Sequence, residues 1–332
     1  CEDAIKLADD PDYNQANFEG MLEIKGDSDH TKLIEMLDAL NDESQKIDDV
    51  LDTYFDTENL VYWLAFQILT GNCDTQNRNC YLYSPLNSNT WYILDWDNDG
   101  MLRKLELSLA GFSDYASWER GVSNYWGNVL FNRALRSKSF RSELDRAVKD
   151  LRSYMTEARL AKMIKHYREV TESLVFASPD IDNLPVTKDQ YEQIAAAIPS
   201  EIEENYKSFR ESYKKPMPFY IGVPQIDNGK LRINWDASYD FKARDIRYTV
   251  ELARDYAISD VLFKAEDVLL PEVTCDAPDA GQYFVRVRAT NSDGYTQDAF
   301  DYYVTDDGKH YGMKCFYVQD GGKVVEDTYE EG

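Results

Sequence analysis

Two aspartates and one asparagine are the residues of this 332-residue sequence whose types and spacing could do chemistry. Asp74 and Asn79 lie in one polar segment, and Asp97 follows an apolar run further along the chain. A carboxylate can orient and deprotonate an acceptor hydroxyl, and carboxylate and amide oxygens can hold Mg²⁺ on nucleotide phosphates. An Asp followed five residues later by an Asn is common by chance, so the pair predicts phosphoryl transfer only in the right structural context.

The elements around these residues have the order found in protein kinases: a helix, a loop with the base, a hairpin and a metal-binding Asp. Apolar residues on nearly all sides of 58–70 predict a buried helix. Two β-type runs, Cys80–Tyr83 and Trp91–Leu94, flank a turn-rich segment and predict a hairpin. The sequence therefore places Asp74 on a loop between helix and hairpin, with Asp97 after the hairpin.

The stretch Asp56–Gly100 resembles the CotH family, the atypical protein kinases related to spore coat protein H. The resemblance extends over about residues 20–215 and is strongest within Asp56–Gly100. It is carried by four runs, which are Asn59–Ala65, Gly71–Asp74, Asn77–Tyr83 and Trp91–Asp99.

This resemblance implies transfer of phosphate from ATP, with Mg²⁺ or Mn²⁺, to a Ser or Thr hydroxyl of a protein substrate. Asp74 would be the catalytic base. The metal ligands would be Asp97, Asn79 and Asp99, and the nucleotide would also contact Asn77 and Asn72. Because family members act on secreted or coat proteins, the resemblance implies a bacterial protein outside the cytoplasm, secreted, on the cell surface or in the spore coat.

The N-terminal region departs from a complete kinase. It contains no glycine-rich loop, and Lys6 and Lys25 are the only lysines before residue 32. An alternating stretch at 18–26 predicts one strand rather than a full sheet. The expectation is that a nucleotide-binding lobe precedes Cys1 and that this fragment could be inactive alone. The alternative function is a non-catalytic binding or scaffold protein of the cell surface.

The acidic run after the hairpin also fits a different metal site. Asp95, Asp97 and Asp99, together with Glu106, match the calcium loop of an EF-hand. An EF loop follows a helix, whereas 90–94 predicts a strand. Ca²⁺ binding stays open as the alternative for this segment.

Three further residues near the site have more than one interpretation. Cys73 and Cys80 bracket the acidic loop, either as two small buried residues or as a disulfide that clamps it. Trp96 either packs in the core, which is the expectation, or forms a wall of the nucleotide site.

The remaining N-terminal half is predicted to be helical. Amphipathic patterns predict helices at about 28–41 and 44–55 and several more across 123–215. Breaks are predicted near Pro179 and Pro199, because proline interrupts helical hydrogen bonding.

After Lys214–Pro218, a predicted linker, the apolar period changes from 3.6 to 2. Runs rich in Val, Ile, Tyr and Thr recur about every ten residues, which predicts an all-β sandwich. The stretch 281–294 resembles the penultimate strand of fibronectin type III domains, with Trp235 in the core and Tyr283 as a corner tyrosine. This resemblance implies a spacer or binding module rather than chemistry.

Together these patterns predict an α+β multidomain protein. A mostly helical, kinase-like C-lobe with a β-hairpin occupies 1–215, and an all-β fibronectin III-like sandwich occupies 216–306. A C-terminal hairpin extension occupies 307–332.

The composition of the sequence limits the classes of partner that the protein is expected to bind. The net charge of −25 opposes binding to nucleic acid and suits a basic protein substrate. No apolar run reaches the roughly 18–20 residues of a membrane span, although surface or lipid anchoring upstream, for example through Cys1, is compatible with the sequence. Five cysteines and three scattered histidines predict neither a disulfide framework nor a zinc site.

Overall fold

The structure is a computed structural model that describes residues 14, 16–17, 29–111, 116–306 and 308–327. The predicted strand at 18–26 lies outside the described residues, as do Cys1, Lys6 and Lys25.

The first part of the chain is mostly helical, as predicted. Its α-helices are α1 (Thr31–Asn41), α2 (Ile47–Tyr54), α3 (Thr57–Thr70), α4 (Lys104–Leu109), α5 (Val129–Arg136), α6 (Lys138–Tyr154), α7 (Glu157–Val175) and α8 (Lys188–Ser212). None of these helices combines the length and the apolar character that a membrane span needs.

Helix α3 is the centre of this part of the protein. The Asp56 side chain accepts a hydrogen bond from the Asn59 backbone N–H at 2.9 Å and so begins the helix. Gly71 ends it in the left-handed conformation, with φ of 66°. Between these ends the helix is apolar on almost every side and packs against both α6 and α8. Each fully buried Leu or Val contributes about 1.5–3 kcal/mol of hydrophobic stabilisation.

A β-hairpin follows α3. Its antiparallel strands are β1 (Cys80–Tyr83) and β2 (Tyr92–Asp95), which confirms the prediction. The Asn59 side chain joins the hairpin to α3, because its amide accepts from the Ile93 N–H at 2.8 Å and donates to the Ile93 carbonyl at 3.2 Å. The hairpin is therefore held against α3.

The predicted helix break at Pro199 is wrong, whereas the break near Pro179 falls between α7 and α8. Helix α8 continues through Pro199. A proline removes one backbone hydrogen bond, but its fixed φ is itself helical. The neighbouring residues Ala195 and Ile202 are buried, so tertiary packing keeps both halves of α8 in line.

The second part of the chain is all-β. Its strands are β3 (Gln225–Asp227), β4 (Lys230–Asn234), β5 (Ile246–Ala253), β6 (Val261–Val268), β7 (Glu272–Asp276), β8 (Gly281–Asn291), β9 (Thr296–Asp298), β10 (Tyr302–Thr305), β11 (Gly308–Tyr311), β12 (Met313–Val318) and β13 (Val324–Glu326).

These strands form two antiparallel sheets around one core. The larger sheet has the order β13-β12-β8-β5-β6, with β9 beside β8, and the smaller sheet has the order β3-β4-β7. Strands β10 and β11 pair separately. Trp235 is buried in the core, and the Tyr283 hydroxyl donates to the Asp279 carbonyl at 2.9 Å.

The structure divides the second part differently from the sequence prediction. Met313–Val318 of β12 pairs with Gly281–Arg286 of β8, inside the larger sheet. Strands β12 and β13 of the predicted extension therefore belong to the larger sheet of the sandwich. The β10–β11 pair lies between β12 and the earlier strands in sequence. Local sequence patterns therefore predicted β12 as part of a separate extension.

The two parts of the chain share one packed interface. Met217, in the predicted linker, is 0% exposed and packs with Phe300 against the helical core. The Trp118 indole N–H donates to the Ala299 carbonyl at 3.2 Å, and the ring packs edge-on against Phe300. The Ser117 hydroxyl accepts from the Gln297 side chain at 2.8 Å. The connection is a buried joint rather than an open linker.

Replacing Trp118 with alanine tests this joint. Trp118 is 7% exposed, so Trp118→Ala should lower the free energy of unfolding by about 3–5 kcal/mol. The matched control is Trp96→Ala, at a residue 56% exposed, with an expected change within about 0.5 kcal/mol. Chemical denaturation followed by circular dichroism measures both. Equal losses in the two variants would contradict the buried joint.

Candidate functional site

The site begins at the C-terminal end of α3, where a helix leaves carbonyl oxygens without intrahelical partners. The Leu69 carbonyl accepts from the Asn205 side-chain amide at 3.0 Å, and the Gly71 carbonyl accepts from the Arg120 guanidinium at 3.0 Å. The Asn72 carbonyl accepts from the Tyr125 hydroxyl at 3.1 Å. Side chains from distant segments thus pair with a carbonyl of the last helical turn and with the carbonyls of the two residues that follow it.

Two more contacts hold the loop at its far side. The Thr70 carbonyl accepts from the Leu102 backbone N–H at 2.9 Å. The Gln76 carbonyl accepts from the Asn128 side-chain amide at 3.0 Å. The backbone from 69 to 76 is therefore fixed by four separate parts of the chain.

Asp74 and Asn79 are in direct contact. The Asn79 side-chain amide donates to Asp74 Oδ2 at 2.7 Å, and Arg78 forms an ion pair with Asp74 Oδ1 at 2.6 Å. The Asp74 backbone N–H donates to Asn72 Oδ1 at 3.2 Å. The Asp74 side chain is 40% exposed, so its carboxylate is both oriented and accessible.

The turn after β2 carries Asp97 in an unusual conformation. Asp97 has φ of 53° and Asn79 has φ of 57°, both in the left-handed region, which Asp and Asn enter more readily than most residues. Leu102 has φ of 55°, which is rarer for such a side chain. The hydrogen bond from its backbone N–H to the Thr70 carbonyl offsets the cost of this conformation. Asp97 and Leu102 follow β2 and Asn79 directly precedes β1, and residues in such conformations cluster at functional sites.

Gly100 brings the two loops together. A Cβ at Gly100 would lie 2.7 Å from Asn72 Oδ1 and 3.4 Å from Asp74 Cβ. The turn that follows Asp97 therefore lies against the Asp74 loop. The side chains of Asp97 and Asp99 are exposed and make no hydrogen bond or ion pair with another described residue.

The two residues predicted to contact a nucleotide lie in different surroundings. Asn77 is exposed on the loop, whereas Asn72 is buried under it. Asn72 Oδ1 holds the Asp74 N–H, and Asn72 Nδ2 is buried without a hydrogen-bond partner among the described residues. Asn72 thus positions the loop from below.

The residues of the alternative calcium loop have other partners. Asp95 Oδ1 accepts from the Gln67 side chain at 2.7 Å, and partial burial raises the pKa of Asp95. Glu106 lies on α4 and forms a double hydrogen bond with the Arg103 guanidinium, at 2.8 and 3.1 Å. Strand β2, not a helix, precedes the turn. Across the described ranges, no three His, Cys, Asp or Glu side chains are placed to hold a metal ion.

Cys73 lies below the loop beside Arg120. Both Cys73 and Cys80 are free thiols. Arg120 Nη1 is 2.9 Å from the Cys73 sulfur, yet burial raises the Cys73 pKa to about 11. Burial also raises the pKa values of Glu119 and Glu201.

The expectation that Trp96 packs in the core is wrong. Its side chain is 56% exposed and packs edge-on against Tyr81, with ring centroids 5.1 Å apart. A two-stranded hairpin has one covered face, and here Ile93 occupies it. Four other apolar side chains of the strands are exposed, namely Tyr81, Leu82, Tyr83 and Leu94.

Sequence reasoning missed the residues that hold the loop. Gln67 gave a weak signal, since it is a polar residue inside an otherwise apolar helix. Arg120, Tyr125, Asn128 and Asn205 gave none, because each is far from Asp74 in sequence and acts only through the folded chain.

Comparison with known families gives a match to a family model. The family model described as CotH kinase protein matches residues 2–209, more than half of the chain. The chain belongs to the CotH kinase family. The match includes Asp74, Asn79 and Asp97, and it ends before the sandwich. As a CotH kinase family member, the chain has a kinase-like domain.

Two other comparisons add little to the CotH assignment. A comparison with curated proteins finds no match. Among solved structures, the twitchin kinase region from C. elegans is similar at 19% identity, over 29% of this chain and 20% of that chain. The TM-score is 0.22, which is too low to bear on the fold or activity of this CotH family member.

The contact between Gly100 and Asn72 can be tested by a double-mutant cycle. Gly100→Ala should lower the free energy of unfolding by about 1–3 kcal/mol, because the new Cβ crowds Asn72. Asn72→Ala removes the crowded atom, so adding Gly100→Ala to that variant should cost less. Denaturation midpoints of the four proteins give the coupling. Strictly additive losses would show that the two loops do not touch.

The raised pKa of Cys73 predicts low thiol reactivity. With a pKa of about 11, only about one thiol in a thousand is ionised at pH 8. Alkylation of Cys73 by iodoacetamide should be slow in the folded protein and rise about tenfold per pH unit from 8 to 10. Peptide mass spectrometry measures the rate, with urea-unfolded protein as the control. Rapid alkylation at pH 7 would contradict the burial.

Proposed function

We propose that this chain is the phosphoryl-transfer lobe of a protein kinase, acting with ATP on a Ser or Thr hydroxyl of a protein outside the cytoplasm. The observation that carries the proposal is the direct contact of Asp74 with Asn79, beside the turn of Asp97, in a member of the CotH kinase family. These contacts support a candidate base that touches one candidate metal ligand, with the turn that carries the second ligand against the same loop.

Asp74 would accept the proton of the substrate hydroxyl. Its two oxygens are held by Arg78 and Asn79, which fixes the carboxylate plane. A carboxylate has about four lone-pair sites, so both oxygens keep capacity for a hydroxyl donor. The 40% exposure of the side chain gives a substrate access from solvent.

Asp97 and Asn79 fit a magnesium-bound nucleotide. Because the Asn79 amide N–H group donates to Asp74, its carbonyl oxygen is left as the atom for a metal. Asp97 and Asp99 add exposed carboxylates. In such sites Mg²⁺ takes one or two protein carboxylates, completes its shell with phosphates and water, and neutralises charge on the transferred phosphoryl group. Mn²⁺ suits the same ligands.

The exposed aromatic side chains of the hairpin support a nucleotide at this place. Trp96 directly precedes Asp97 in sequence, and Tyr81 packs against it. Aromatic faces stack on nucleic-acid bases with about 1–3 kcal/mol per base. We include the Trp96 ring as a surface for the adenine base.

For the second part of the chain we propose a fibronectin III-like spacer or binding module. The sheet orders β3-β4-β7 and β6-β5-β8-β12, the buried Trp235 and the Tyr283 hydrogen bond support this proposal.

The net charge of −25 favours a basic protein substrate. Equal phosphorylation of basic and neutral peptides would contradict that preference.

Two isosteric variants separate binding from chemistry. Asp97→Asn should abolish metal-dependent ATP binding. Asp74→Asn should keep that binding but lower phosphoryl transfer by about 10²–10⁴-fold, the usual contribution of a general base. The control is Asp227→Asn, at an exposed carboxylate of β3, which should change neither.

Titration calorimetry with MgATP, MnATP and CaCl₂, followed by transfer of labelled phosphate to a Ser-containing peptide, measures both steps. Phosphate transfer that is unchanged in both Asp74→Asn and Asp97→Asn would contradict the proposal, and folded protein that binds no nucleotide would favour the scaffold alternative. Binding of Ca²⁺ alone, lost in Asp97→Asn, would favour the calcium loop.

A further inference from the structure

Helix α7 spans 19 residues and buries none of them. It lies on the outside of the helical part, where it packs against α8. A surface helix normally turns its apolar side chains toward the core and its charges toward water. Helix α7 has a different distribution.

Four large apolar side chains lie on the outward face of α7. They are Met163, Tyr167, Val170 and Leu174, which are 39%, 61%, 61% and 64% exposed. Their spacing of four, three and four residues places them on one stripe, the spacing of a coiled-coil seam. Isolated exposed apolar residues are common, but four in a row on one helix mark an interaction surface.

The inward face of α7 is less apolar than the stripe. Toward α8 it presents Ala161, Ile164 and charged side chains, with a groove of about 390 Å³ between the helices. Arg168 on this face pairs with Glu192 of α8. Leu160 of α7 packs against the helical core, but none of the four residues of the stripe does.

We propose that the stripe pairs with the same stripe of a second copy of this chain, with the two α7 helices antiparallel. The spacing reads the same in both directions, so an antiparallel pair sets Met163 against Leu174 of the second copy. Tyr167 then lies against Val170 of the second copy. A parallel pair would also join the stripes, so charge decides the direction.

Charges along α7 favour the antiparallel direction. The first half carries Arg159, Lys162 and Lys165 against Glu157, whereas the second half carries Glu169 and Glu172 against Arg168. In an antiparallel pair the basic half of one helix lies along the acidic half of the other. A parallel pair would place like charges together.

The size of the surface sets the expected affinity. A 19-residue helix is about 28 Å long, so two such helices form an interface at the small end of specific ones. We therefore expect a reversible dimer with a dissociation constant of about 1–100 µM. This association does not depend on the proposed kinase activity.

Sedimentation velocity of the full chain from about 1 µM to about 1 mM tests the pairing. Wild-type protein should pass from monomer to dimer, and Val170→Glu should remain monomeric throughout. The matched control is Leu270→Glu, the same kind of change at a sandwich residue 67% exposed, which should dimerise like wild type. Both positions are exposed, so both variants should fold.

Cysteine crosslinking tests the direction. In the double variant Met163→Cys/Leu174→Cys, oxidation should link position 163 to position 174 of the other copy, as found by peptide mass spectrometry. Links from 163 to 163 would overturn the antiparallel arrangement. A monomer at every concentration would overturn the proposal, even if the stripe binds lipid vesicles or another protein. A dimer that persists in Val170→Glu would overturn it as well.

Discussion

The unpaired carbonyl oxygens at the C-terminal end of α3 are the constraint on which the site depends. A buried carbonyl without a donor costs about 1–3 kcal/mol, so each one must find a partner. Here the donors come from Asn205 on α8, from Arg120 and Tyr125, and from the backbone of Leu102. Satisfying the helix end and the two residues after it therefore requires α8, the segment around 120 and the turn after β2 to meet at one place. That meeting fixes the loop on which Asp74 lies.

Charge at this helix end follows from the same contacts. The C-terminal end of a helix carries partial negative charge, which a cation stabilises. Arg120 supplies that cation, while burial raises the pKa values of Cys73, Glu119 and Glu201 around it. The loop is thus supported from below by a guanidinium, and its accessible carboxylate is Asp74 above.

Sequence patterns predicted those features that depend on residues close together in the chain. Helix α3 and the hairpin follow from apolar periodicity and turn residues, so both were predictable. Asp74 and Asn79 are only five residues apart on one loop, so their proximity was predictable as well. The donors Arg120 and Asn205 were not, because they meet the loop only after the chain has folded. Pro199 misled for the same reason, since packing outweighs the loss of one helical hydrogen bond. Trp96 was misplaced because an apolar residue on a thin hairpin has no second layer to cover it.

The buried joint between the two parts also places a mechanical connection next to the site. Ser117 and Trp118 form hydrogen bonds with the sandwich. Arg120, two residues further on, donates a hydrogen bond to the loop that carries Asp74. A load applied to the sandwich would pass along this short stretch of backbone. Force on the sandwich would then be transmitted to the Asp74 loop, whereas a flexible tether between the two parts would absorb it.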